Sequence, residues 1–228
     1  MTSPYPLSSE KTLTVEQLYD SVGPGYEQAW AHCTAQHDSL CWIISQLNQA
    51  HIKRARCVDL GCGTGRPVCS TLAGAGHDVL GVDISNAMLD AARKNVPNAK
   101  FEKADLHVYD PKEDFDVITA YFSFLAGWTQ NGIKEGIGKI YQWLKPGGLF
   151  VFATVPIPGD QISLCWLGRT TVASGFAVDE TLEVIKKAGF VIEKEVRGDF
   201  MPKAVEAGIC QKDEVVEEPH QFVYARKG

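Results

Sequence analysis

The stretch VDLGCGTGR, residues 58–66, sets Gly61, Gly63 and Gly65 straight after an apolar run, with Asp59 two residues ahead of the first glycine. Between a strand and a helix, residues without side chains let a ligand lie against the main chain, where the first amides of the helix point outward. A dinucleotide fingerprint needs G-x-G-x-x-G, and the register from Gly61 and Gly63 puts Arg66 where the third glycine should stand. Asp59 adds a second discriminator, because a carboxylate at the strand end repels a pyrophosphate and attracts an ammonium or a sulfonium. Asp83, in LGVDIS, follows the glycine turn at the spacing of about twenty residues at which an acid reaches the two hydroxyls of a ribose. Asp105 and Leu106, in KADL, supply an acceptor for an exocyclic amine and a backbone amide for a ring nitrogen, as an adenine edge requires.

These residues need a frame that brings them to one edge. RCVDL, HDVLGVD, AKFEKAD, DFDVITAYF and LFVFATV read as strands, and between them lie the helical patterns RPVCSTLAGAG, NAMLDAARKN with Ser85 as its cap, and Ile133, Ile137, Ile140 and Leu144 before the turn KPGG. Strand and helix in alternation predict a parallel sheet covered on both faces, since parallel neighbours need a crossover to connect them. After a helix over DETLEVIKKAG, the strands FVIEKEV and HQFVYAR are joined by a polar link containing DEVVEE but no helical pattern. That pair is predicted to be antiparallel, an edge hairpin with a long loop, and the acidic link near residue 213 is read as solvated surface. The expected fold is α/β, a doubly wound, mostly parallel seven-stranded sheet with an antiparallel C-terminal edge hairpin and an N-terminal helical cap. All 228 residues are read as one domain: a cap over 12–50 lying on the sheet's carboxyl edge, a cofactor-binding core over 51–155, a lid-like connection over 156–178, and a C-terminal helix with edge strands over 179–228.

The totals set the class of partner. Net charge is −6 and the sequence pI is near 5.5, with no cluster of Lys and Arg, so a small molecule is expected and nucleic acid is not. Seven scattered cysteines, odd in number and mostly inside apolar runs, read as reduced thiols of a cytoplasmic protein, and no His, Asp or Cys spacing suggests a metal. No basic stretch leads into a long apolar core, and no window approaches the roughly eighteen apolar residues of a spanning helix, so neither secretion nor a membrane is expected. Nothing in the chain specifies an oligomeric state.

Adenine, ribose, positive charge and no phosphate together describe S-adenosylmethionine. The chain resembles the class I, Rossmann-like S-adenosylmethionine-dependent methyltransferases of the small-molecule type through VDLGCGTG, GVDIS, KADL, FDVITAYF and LKPGG, in that family's order. The resemblance implies that Gly61, Cys62, Gly63, Thr64 and Gly65 embrace the methionine portion beside Asp59. It implies that Asp83, with Ile84 and Met88 nearby, holds the ribose, that Asp105 and Leu106 address the adenine, and that Ala120 and Tyr121 line the donor site. LYDSVGPGYEQAW resembles the tyrosine-bearing cap of that family, with Tyr19 and Tyr26 over the cofactor and a helix break expected at Gly-Pro-Gly. Its activity would be transfer of a methyl group to a small, fairly apolar acceptor, releasing S-adenosylhomocysteine. The alternative is a protein that keeps the cofactor without methylating, for instance to steer a rearrangement. His37 in the cap and Tyr121 are the candidate catalytic residues, and His107 and His220 rank below them. Trp128, Trp166 and Arg169 are assigned to the acceptor pocket, whereas Trp30, Trp42 and Trp143 are read as helix packing.

Overall fold

Seven strands share one sheet, and the side chains of their central members are apolar on both faces, which is why helices must cover both sides. The computed structural model describes residues 12–112 and 114–228. The strands of the main sheet are β1 (Arg56–Leu60), β2 (Asp78–Asp83), β3 (Lys100–Lys103), β4 (Phe115–Tyr121), β5 (Leu144–Thr154), β8 (Phe190–Phe200) and β9 (Glu218–Lys227); β6 (Gly159–Trp166) and β7 (Arg169–Gly175) form a separate hairpin. The helices are α1 (Val15–Val22), α2 (Gly25–Trp30), α3 (Thr34–Gln49), α4 (Val68–Gly74), α5 (Asn86–Asn95), α6 (Gln130–Trp143) and α7 (Val178–Lys187). Strand order is β3-β2-β1-β4-β5-β9-β8.

The period of two along each strand divides the core. Cys57, Val117, Leu149 and Val151 face Leu40, Ile43 and Leu47 of α3 and Leu72 of α4. Their neighbours Val58, Ile118 and Phe150 face Ile133, Ile137 and Ile140 of α6 and Ile185 of α7. The first five strands are parallel, and the change of direction from β1 to β2 on one side and to β4 on the other creates the crevice in which such sheets hold ligands.

The C-terminal pair is antiparallel, as its link predicts, but β9 is inserted between β5 and β8 and runs against both. Phe222, Val223, Tyr224 and Ala225 are therefore fully buried, while β8 forms the outer edge and carries Glu193, Lys194, Glu195 and Arg197, charges that discourage further strand pairing. The connection over 156–178 is a two-stranded hairpin rather than an irregular lid. Its ladder is β6 against β7, and the loop after β4 adds to it through Gly127 N–H to Val172 O at 2.8 Å and Ser174 N–H to Leu125 O at 3.1 Å.

In the cap, Thr14 and Gln17 form a reciprocal capping box for α1, and Gly23 (φ 62°) breaks the chain before α2, where Gly-Pro-Gly predicts a break. Asp20 fastens α1 to the sheet by accepting from Ser85 Oγ at 2.5 Å and from Ala87 N–H at 3.3 Å at the start of α5. Glu16 pairs with Lys103 at 2.6 Å.

Gly81, in the middle of β2, sets a packing limit: a Cβ there would lie 2.7 Å from the Phe101 ring and 2.8 Å from Cys62 Sγ. Gly81→Ala is expected to cost about 1–3 kcal/mol of stability through overpacking. A Cβ at Gly138, within α6, meets nothing within 4 Å, so Gly138→Ala should stabilise by about 0.5–1 kcal/mol. Urea midpoints of the two variants check both signs.

Candidate functional site

A cavity of about 480 Å³ lies at the carboxyl ends of β1, β2 and β4, roofed by α1 and α2. The three glycines serve it in three ways. Gly61 (φ 78°) turns the chain where an added Cβ would strike the Ser123 side chain at 2.3 Å, so only glycine lets the loop pass β4's end. Gly63 (φ 52°) has nothing within 4 Å of where its Cβ would be and borders the cavity, leaving main chain bare toward a ligand. Gly65 is outside the cavity lining, contrary to its assigned role. Its missing Cβ makes room for Val96 and Phe101, so it closes the loop against α5 and β3.

Two buried carboxylates face the cavity. Asp83 accepts from Gly63 N–H at 2.8 Å and from Ser85 N–H at 2.9 Å, one on each oxygen. A carboxylate has about four lone-pair sites, so both oxygens retain capacity toward a ligand's hydroxyls. Burial raises the Asp83 carboxyl above the usual range, while the amides of Ser85 and Gly63 oppose that shift. Asp59 accepts from Thr119 Oγ1 at 2.7 Å and from Cys69 Sγ at 3.7 Å; burial pushes its pKa up to about 7, against those hydrogen bonds and with a contribution from the Asp83 charge. Thr64 and Ser123 also border the cavity, while their hydroxyl oxygens are buried with no hydrogen-bond partner among the described residues.

At the outer end, Asp105 Oδ1 accepts from His107 N–H at 3.0 Å and lies 2.7 Å from His107 Nδ1, with Leu106 and Ile84 alongside. The His107 bonds hold the Asp105 carboxyl below its ordinary value despite partial desolvation. Trp128 belongs to this end rather than to an acceptor pocket: it stacks on His107 at 4.0 Å and on Phe124 at 4.5 Å, and its Nε1–H donates to Ser123 O at 3.0 Å. Met88, Cys62, Tyr19 and Tyr26 line the cavity.

The catalytic assignments fare differently. His37 is exposed on the outer side of α3, whose inward residues are Gln36 and Ser39, so it faces water and not the cavity. Tyr121 does line the cavity, but its hydroxyl is engaged with Ser39, whose own hydroxyl donates to Gln36 O at 2.7 Å, and burial drives the phenol far above its usual range. It anchors α3 to β4 and is no base. Ala120 is buried within the sheet against the α6 side and does not reach the cavity. Arg169 lies outside as well: its guanidinium bonds Ser21 Oγ at 2.7 Å, Leu167 O at 2.6 Å and Ile209 O at 3.1 Å, clamping α1 to the hairpin and the C-terminal link.

A second, smaller hollow of about 50 Å³ adjoins the first, and Tyr19, Tyr26, Phe122 and Ala126 line both. Phe122 takes a left-handed backbone (φ 57°), a strain of about 1–3 kcal/mol that places its ring at the junction. Trp166 is in the hollow's wall, and so is Trp30, which also packs against Tyr26 in the cap. The hollow also holds Glu218, 3% exposed, read from the sequence as part of a solvated acidic link. The signal was in the spacing, since Glu218, His220 and Phe222 alternate along a strand and share one face with the core.

Among the described residues no group of three or more His, Cys, Asp or Glu side chains is gathered for a metal, no helix is long and apolar enough to cross a membrane, and none of the seven cysteines is in a disulfide. Residues 57–148 match the family described as methyltransferase domain. Trans-aconitate 2-methyltransferase of Rhizobium leguminosarum bv. trifolii is 34% identical over 108 residues, 47% of this chain and 40% of that protein. The chain thus spans less than half of that relative. An S-adenosylmethionine-dependent methyltransferase from Mesorhizobium loti has a TM-score of 0.59 at 25% identity, with 77% of this chain and 92% of the other covered. The [4+2]-cyclase SpnF shares the fold over 99% of this chain and 98% of its own, with a TM-score of 0.66 at 19% identity.

The raised pKa of Asp59 has a definite sign for stability. Its carboxyl keeps its proton in the fold up to about pH 7 and loses it near 3.8 in the unfolded chain, so its contribution falls as pH rises between those values. Asp59→Asn removes that penalty. The variant's stability relative to the parent is expected to grow from pH 4 to pH 7 by up to about 4 kcal/mol and to level off above, as read from urea midpoints across pH.

Proposed function

We propose that this chain, which carries the methyltransferase domain of the class I S-adenosylmethionine-dependent family, transfers a methyl group from S-adenosylmethionine to a nucleophilic atom of a small, fairly apolar metabolite. One observation carries the reading: among its described lining residues the ligand cavity has two buried carboxylates and no unpaired Lys or Arg. Arg66, the basic side chain in its lining, is paired with Glu27 at 3.1 Å. Such a lining disfavours phosphates and suits a sulfonium and an ammonium.

S-adenosylmethionine, when bound, supplies a methyl group already activated by positive charge on sulfur. The chain's own work is then alignment and exclusion of water. Asp83 takes the ribose hydroxyls while holding the glycine loop. Asp105 and the Leu106 amide address the adenine edge, with His107 fixing the Asp105 carboxyl. Gly63, Thr64 and Ser123 offer main-chain surface to the amino-acid portion, and a cation beside Asp59 would draw that carboxyl into its charged form. Tyr19 and Tyr26 present aromatic faces from the cap; burial, with smaller effects of neighbouring charges, keeps both phenols protonated, so they act as walls and not as bases.

Asp83→Ala and Gly63→Val are each expected to weaken binding of S-adenosylhomocysteine by about 100-fold or more in calorimetry, the first by loss of charge-assisted hydrogen bonds and the second by a side chain in the ligand's space. Unchanged affinity in either would remove the pocket assignment. With isotope-labelled donor and candidate acceptors, S-adenosylhomocysteine should appear one for one with product; product without it would favour a rearrangement in which the donor is not consumed.

A further inference from the structure

We infer that the Gln36 carboxamide reads the α-carboxylate of the methyl donor, and so separates the intact donor from one that has lost that carboxylate. The inference rests on the proposed binding of S-adenosylmethionine and deepens it at the amino-acid end. Gln36 is 5% exposed, lines the larger cavity, and its side chain has no hydrogen bond among the described residues. Unlike the hydroxyls of Thr64 and Ser123, its polar atoms are not sealed off, so the little surface the residue keeps opens on the cavity. A carboxamide offers two donors and an acceptor, and a polar guest that engages them relieves a cost the fold carries without it.

The side chain stands on a fixed base. Gln36 occupies the first turn of α3, where its N–H donates to Cys33 O at 3.2 Å and its carbonyl accepts from Ser39 Oγ at 2.7 Å. Ser39 is in turn bonded to the Tyr121 hydroxyl, so β4 holds the turn that presents the amide. Asp59, bonded to Cys69 of α4, and Tyr121, bonded to Ser39 of α3, lie on the sheet face that these two helices cover. Gln36 therefore serves the end of the cavity at β1 and β4, whereas Asp105 and His107 follow β3 at the sheet's edge.

Charge assigns the partner. The amino-acid end of the donor brings an ammonium and a carboxylate, which need opposite surroundings, and Asp59 in its charged form attracts the first and repels the second. Arg66, the basic side chain of the lining, is held by Glu27, and the Tyr121 hydroxyl by Ser39. Gln36 Nε2 offers the carboxylate two N–H donors that no described residue claims. The first turn of α3 works in the same direction: it carries no acidic residue and no side-chain cap, so the positive end of a 16-residue helix has no counter-charge of its own. An amide, unlike a free guanidinium, serves a carboxylate without attracting phosphates, which keeps the charge selection of the lining intact.

The test is calorimetry of the full chain with two ligands, S-adenosylhomocysteine and its decarboxylated analogue S-adenosyl-3-thiopropylamine, which keeps the ammonium and lacks the carboxylate. Gln36→Leu, similar in size and without the amide, is expected to weaken S-adenosylhomocysteine about tenfold or more while changing the analogue by less than about twofold. Gln36→Glu keeps the shape of the side chain and sets an acid opposite the carboxylate. At about pH 8 it should weaken S-adenosylhomocysteine further, by about 100-fold, and bind the analogue at least as tightly as the parent does. The contrast between the two ligands in this variant decides the matter even where Gln36→Leu fails to fold. Equal losses for both ligands mark a merely structural role, and unchanged affinity for S-adenosylhomocysteine places no carboxylate at Gln36; either result overturns the inference. Failure of the parent to bind S-adenosylhomocysteine would instead defeat the proposed function itself.

Discussion

Two backbone amides from different loops converge on one carboxylate, and the arrangement of the whole crevice follows from that convergence. Gly63 N–H fixes the glycine loop to Asp83 at 2.8 Å, and Ser85 N–H fixes the start of α5 to the same side chain at 2.9 Å. Ser85 then turns its hydroxyl to two tasks, accepting from Met88 N–H as the cap of α5 and donating to Asp20 of α1. Loop, helix and roof are thereby referred to one acid at the end of β2. The carboxylate is bonded to donors through both oxygens, which is the condition under which a buried acid is tolerated.

Asp59 shows the opposite balance. Its donors, Thr119 Oγ1 and Cys69 Sγ, are neutral and the second is weak, so burial prevails and the group sits poised between charged and neutral. The thiols around it do not compensate: Cys69 has its own acidity suppressed by hydrogen bonding with Cys62, by burial and by the Asp59 charge. A fold retaining an ill-solvated acid at this point gives up stability, and a cation beside the acid would return it. Local cost at the ligand site, set within an apolar core that is fully packed on both faces of the sheet, is a common division in binding proteins.

Most of the frame was legible because it rests on local rules. The alternation of short apolar runs with helical spacing announces a parallel doubly wound sheet, Ser85 announces its helix, and Gly-Pro-Gly announces the break between α1 and α2. Asp83 and Asp105 were legible because each stands at a strand end at a fixed distance from the glycine turn. What escaped depended on long-range placement. A helix shows the same polarity in His37 and Gln36, and only docking decides that Gln36 turns inward. Arg169 reads as a pocket residue by position, yet the hairpin directs it to Ser21 and Ile209. Glu218 was hidden by its neighbours, because the acidic run before it masks its alternation with His220 and Phe222 as the chain enters the sheet between two other strands.

Thr64 and Ser123 give the cavity a form of discrimination that charge alone does not. Both hydroxyls are shut away from water with no protein atom to answer them. They are reached only by a small shift of the glycine loop or of the residues after β4, so a guest whose polar atoms draw them into contact removes a deficit that the fold bears, and one with hydrocarbon there leaves it standing. A wall of this kind would reject misfits more than reward contact, and a close analogue stripped of a single heteroatom would be refused out of proportion to the small change in its size.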